Sequence, residues 1–143
     1  MQIAFDQATL KRVMHQLSAL EDVDKAVAIQ AGLTKGVDYI NRYVKRATKT
    51  QFKVRKGNLS TSVMRKYIKK RVAAYGAFSR PKGAVAHLLE YGTKERFTKS
   101  KAPRGRVKPS YFKTNIVETK GNSAMNIAAD AISAEIYRII SRN

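Results

Sequence analysis

The chain has no cysteine, which excludes disulfides and thiolate metal sites and fits assembly in a reducing cytoplasm. Acidic residues are scarce: Asp and Glu number 10 and are scattered, without the clustering that a metal-dependent nuclease needs. No apolar run is long enough to cross a bilayer, so no membrane partner is expected. The first residues, MQIAFDQATLKR, lack the basic-then-apolar order of a signal peptide. The patterns G-x-x-x-x-G-K-[ST], G-x-S-x-G and H-E-x-x-H do not occur, and no internal repeat is evident. His15 has no second metal ligand at helical spacing. His87 and Glu90 are three apart and share a helical face, but the nearby chain offers only Glu95 as a third ligand. These absences argue against an enzyme and against a cofactor.

Positive charge is what the chain has in excess. Lys and Arg number 29, giving a formal net charge of +19. Such a balance points to polyanions or strongly acidic protein partners, and leaves the fold open. A length of 143 residues suits a single domain, and the hydrophobic fraction of 43% is ordinary for a globular one. Between Asp38 and Glu90 there is no acidic residue at all. That interval holds the expected contacts with nucleic acid or an acidic partner: Lys45, Arg46, Lys49, Lys53, Arg55, Lys56, Arg65, Lys66, Lys69, Lys70 and Arg71. A long run without counter-charge repels itself and calls for a compensating partner. Tyr43, Phe52, Tyr67 and Tyr75, interleaved with these cations, could stack on bases.

Patterning predicts an α+β fold with N-terminal helices, a small antiparallel sheet, a long C-terminal helix and extended basic loops. Asp6 can cap a first helix reaching about Leu20, with Leu10, Val13, Met14, Leu17 and Leu20 at helical spacing. A second helix is expected from Asp24 to about Thr48, with Val27, Leu33, Val37, Ile40 and Val44 on its buried side. Ala28, Gly32 and Gly36 form a small-residue ridge on it; the cost of two helical glycines is offset if another helix approaches closely there. Lys49–Lys56 reads as a loop, and Asn58 or Ser60 can cap a short helix through Val63. Strand is expected from about Lys66 to Phe78, broken in the middle, followed by a turn at Ser79–Gly83. Ala84–Tyr91 reads as a short helix stopped by Gly92 in a left-handed conformation. Thr93–Lys108 is basic and poor in apolar residues, the marks of an exposed, flexible loop, disordered in the isolated subunit. Tyr111 and Phe112 are expected to anchor on the core. Asn115–Lys120 can be helical before a break at Gly121-Asn122, with Ser123 capping the last helix to about Arg142.

Three short segments, in order, carry a resemblance. They are Gly57-Asn58-Leu59-Ser60-Thr61-Ser62-Val63, then Ala86-His87-Leu88-Leu89-Glu90-Tyr91-Gly92-Thr93, then Pro109-Ser110-Tyr111-Phe112 leading into the C-terminal helix. This order resembles the small neck and tail-completion proteins of long-tailed bacteriophages, a group that includes head–tail joining and minor tail components. The chain departs from the pattern where Ser110-Tyr111 separate Pro109 from Phe112 and no second proline follows. The resemblance implies a structural virion protein, assembled in the host cytoplasm, that forms a closed ring of its own copies, a hexamer being favoured. Its partners would be neighbouring neck, tail-terminator and tail-tube proteins, with duplex DNA in the channel. Structural or interface roles fall to Gly57, Leu59, Ser62, His87, Glu90, Tyr91, Gly92, Thr93, Pro109, Tyr111 and Phe112. Glu90 would either accept backbone hydrogen bonds or pair with a basic residue. Six copies of +19 would carry +114, against roughly 24 charges of duplex in a lumen about 40 Å long. Only a subset of the cations can therefore face DNA. The alternative is a sequence-independent DNA- or RNA-binding protein acting outside the virion.

Overall fold

Two 29-residue helices, α2 (Asp22–Thr50) and α5 (Phe112–Ile140), lie antiparallel and carry the remaining elements. The computed structural model describes residues 7–52, 58–68, 73–80 and 82–142. The expected cap Asp6, together with Lys53, Arg55, Lys56, Gly57, Lys69, Lys70 and Arg71, lies outside the described residues. The fold is α+β. Helix α1 (Gln7–Ser18) packs on α5; α3 (Asn58–Thr61) leads into a two-stranded antiparallel sheet of β1 (Val63–Ile68) and β2 (Ala73–Phe78); α4 (Ala86–Tyr91) follows.

The α2–α5 seam rests on small residues. Ala28, Gly32 and Gly36 are buried on α2, facing Ala124, Ala128 and Ile132 on α5. A Cβ on Gly32 would stand 2.4 Å from Ile132 Cγ1 and 2.6 Å from the Ala128 carbonyl oxygen, so only glycine permits this approach. The ridge expected from the sequence is thus the line of closest approach. Val27, expected inside, is turned out, because the buried stripe follows the small residues one step away.

The expected break at Gly121-Asn122 is corrected. Helix α5 runs unbroken, and Ser123 lies within it. Gly121 is buried three residues before Ala124 and seven before Ala128, on the same side of the helix, so it belongs to the seam and does not end the helix. The strand also begins earlier than expected, at Val63, because Ser62 Oγ donates to the Leu59 carbonyl at 2.7 Å and closes α3.

Register pairs Val63 with Phe78, Arg65 with Gly76 and Lys66 with Tyr75. Val63, Arg65 and Gly76 face α2: Val63 packs with Val44, Arg65 pairs with Asp38, and Gly76 lies against Asn41. Alternation puts Met64, Lys66 and Tyr75 on the other face, where all three are exposed.

The segment 93–108, expected as a flexible, disordered loop, is instead a narrow, paired hairpin arm. Thr93 N–H donates to the Val107 carbonyl at 3.0 Å, and Val107 N–H returns a bond to Thr93 Oγ1 at 3.0 Å. Arg104 N–H donates to the Arg96 carbonyl, and Thr98 N–H to the Ala102 carbonyl across the tip. Backbone pairing orders the arm without an apolar core, while Lys94, Arg96, Lys99, Lys101, Arg104 and Arg106 stand in solvent.

Candidate polyanion-binding groove

The three motif segments meet at one junction. Helix α5 starts at Phe112, and its N-cap Tyr111 makes no side-chain capping bond. The first turn leaves N–H groups without intrahelical partners. Glu90 of α4, 3% exposed, supplies the acceptors: Oε2 takes the Lys113 N–H and Oε1 the Thr114 N–H, each at 2.9 Å. Thr114 Oγ1 donates to the same Oε1 at 2.6 Å. A carboxylate here also complements the positive end of the helix dipole. Of the two roles open to Glu90 in the sequence, it takes the first.

The reverse face of the junction is closed by the other motif. Ser110 donates from both its N–H and its hydroxyl to the Leu89 carbonyl, and Tyr111 N–H donates to the Glu90 carbonyl. Pro109 lies against Gly92, whose φ of +75° is left-handed as expected. Phe112 is buried with Val44 and Val63, its ring edge-on to Phe52 at 5.1 Å and to Phe78 at 6.2 Å. Leu59 and Ser62, of the first motif segment, are fully buried. Tyr111, expected as a second core anchor, is instead half exposed: it holds the junction through its backbone. His87 and Tyr91 are exposed on α4 and border a cleft of about 140 Å³ with Phe78, Phe112 and Lys113.

The basic tract divides over separate surfaces. Arg42, Lys45, Arg46 and Lys49 line a groove of about 400 Å³ with Ser60 and Thr61 of α3. A second hollow of about 400 Å³ continues it past Arg42 and Lys45 to Asn41, Val63 and Met64. Positions 42, 45, 46 and 49 recur at helical steps and so share one side of α2. They span about 10 Å of helix axis, close to the axial rise of three phosphates on one strand. Arg65 is not part of the uncompensated set, since its guanidinium pairs with Asp38. Lys66 points from the opposite sheet face. Among the described residues, Arg42, Lys45, Arg46 and Lys49 have no carboxylate partner. Sequence reasoning missed Ser60 and Thr61 because their approach to α2 depends on how α3 packs.

The aromatic residues expected to stack on bases are mostly committed elsewhere. Phe52 packs on Phe112 in the core. Tyr43 stands edge-on to Tyr39 at 5.1 Å, with Lys120 Nζ 5.2 Å over its ring and Arg46 at 6.0 Å. The shared Tyr39–Tyr43 hydroxyl bond lowers the Tyr39 pKa and raises that of Tyr43. Tyr67 has its hydroxyl buried, and burial raises its pKa. Tyr75 is exposed, but on the sheet face away from α2.

Among the described residues no three His, Asp or Glu side chains converge as metal ligands. No helix of the described residues is long and apolar enough to cross a membrane. Chemically, the groove offers charge and hydrogen-bond donors, the equipment for holding an anionic backbone by position and without reading bases. Compared with known proteins, the chain matches no family model, no curated protein and no solved structure.

Proposed function

We propose that the chain is a structural virion protein of a tailed phage, a tail-completion or head–tail joining subunit. Its copies close into a ring, six being the favoured number, around the DNA passage. The ring connects neighbouring neck, tail-terminator and tail-tube proteins, and it is assembled in the host cytoplasm. The observation that carries this reading is the bonding of the second and third motifs around Glu90. Residues from both share one set of hydrogen bonds, from Ser110 to Leu89 and from Tyr111 to Glu90, so these motifs are parts of one device. The α2–α3 groove supports the DNA side of the role, because its cations have no carboxylate partner among the described residues.

Electron microscopy of the purified chain, with its mass in solution, tests the proposal. The expected result is a closed ring with an opening that admits duplex DNA. A monomer or dimer that retards DNA as a small species would overturn it. That outcome favours the second reading, a sequence-independent nucleic-acid-binding protein outside the virion, which the open groove would equally serve.

A further inference from the structure

The net charge of the described residues is concentrated at one end of the molecule. In sequence, residues 37–125 hold 23 of the 29 Lys and Arg but 4 of the 10 Asp and Glu, and the rest of the chain holds six of each. Among the described residues the division, 17 bases and 4 acids against six bases and five acids, is also a division in space. Gly36 packs against Ala124, so α2 before that level and α5 beyond it form one end of the antiparallel pair. Helix α1 joins that end, where Gln16 bonds Ser133 at 2.8 Å and Arg12 pairs with Asp130 at 3.5 Å. Its core is Val13, Ala28, Ala129, Ile132 and Ile136.

Around this neutral core each of three helices exposes an apolar pair at helical spacing: Leu10 and Met14, Val23 and Val27, Tyr137 and Ile140. Met14, Val23 and Tyr137 are 62%, 75% and 65% exposed. The same end holds two acids and three bases without an ion-pair partner among the described residues, Glu21 and Asp24 against Lys11, Lys35 and Arg142. We infer that a second copy of this chain docks at this neutral end. The other end also exposes apolar side chains, Tyr75 and Phe97 among them, but there two copies would bring +13 against +13 from the described residues. Only this end lets like chains meet without that repulsion, and its leftover charges, being of both signs, can pair between copies. The basic end is then left open to the polyanion. The inference adds to the ring reading and stands apart from it. Packing of unlike parts of this end, α1 on one copy and the α2–α5 tip on the next, continues into a ring; packing of like parts stops at a dimer.

Sedimentation velocity of the full chain at about 50 and 500 mM salt tests it, with Met14→Glu, Val23→Glu and Tyr137→Glu as variants and Tyr75→Glu as the control. Salt screens the repulsion, so self-association is expected to hold or strengthen at the higher concentration. Met14→Glu and Tyr137→Glu should each weaken it about tenfold or more, with Tyr75→Glu unchanged. Val23→Glu, at the most exposed of these positions, gives the same reading should either variant fail to fold. A wild-type monomer at both salts, dissociation by salt, or equal weakening in Tyr75→Glu overturns the inference. A dimer broken by Met14→Glu keeps the docking face and removes the ring. A ring indifferent to all three variants keeps the ring and removes the face.

Discussion

The Glu90 carboxylate holds the first turn of a helix that it does not belong to: its Oε1 accepts the Thr114 N–H at 2.9 Å and the Thr114 hydroxyl at 2.6 Å. The donor groups sit 24 residues further along the chain, beyond the whole hairpin arm. The bond therefore fixes both the start of α5 and the base of the arm.

Replacing this carboxylate should unsettle the fold. Glu90→Ala takes the acceptors from two backbone N–H groups at a part-buried site and removes a charge suited to the helix dipole. The expected loss is about 2–4 kcal/mol in denaturant unfolding. Glu90→Gln keeps one acceptor oxygen and should lose less. An Ala variant with the parent midpoint and slope would contradict the capping role.

Gly92 and Gly105 make a matched pair. Both have positive φ, +75° and +70°. A Cβ at Gly92 would stand 2.7 Å from the Val107 carbonyl oxygen and 2.9 Å from the Pro109 nitrogen, whereas at Gly105 it meets nothing within 4 Å. Gly105→Ala is expected to cost about 1 kcal/mol, the conformational penalty alone. Gly92→Ala should cost clearly more, about 2 kcal/mol or above, since the arm's base must also shift. Thermal melts of the two variants give the comparison; equal melting temperatures would refute it.

Tyr67 buries a hydroxyl that has no hydrogen-bond partner among the described residues. Tyr67→Phe removes that unsatisfied group and keeps the ring. Stability should hold or rise by about 1 kcal/mol in the same unfolding assay. A drop of that size would mean the hydroxyl has a partner.

Much of the helical frame was legible in the sequence, because helical spacing and the Ala28-Gly32-Gly36 ridge are local patterns. The seam itself needed the partner: Val27 is larger than Ala28 and more apolar, yet a close helix crossing rewards the smaller side chain. Gly121-Asn122 carries the local sign of a helix end, and only the burial of Gly121 beside Ala124 reveals its use. The candidate site was half legible. The shortage of acid was plain along the chain, but strand alternation sends Arg65 toward Asp38 and Lys66 the other way. Phe52 looked like a stacking ring until the fold brought it against Phe112.

In the proposed role the α2–α3 groove meets a phosphate backbone. The direct measurement is the salt dependence of duplex binding by the parent and two charge-matched triple variants. One carries Arg42→Gln, Lys45→Gln and Lys49→Gln in the groove; the other carries Lys99→Gln, Lys101→Gln and Arg104→Gln on the arm. The groove variant should make the log–log slope shallower by up to about 2.7, at roughly 0.9 for each phosphate no longer neutralised, and the arm variant by less than about one. Equal changes in both variants would reduce the effect to net charge. An unchanged slope in the groove variant would contradict the claim outright.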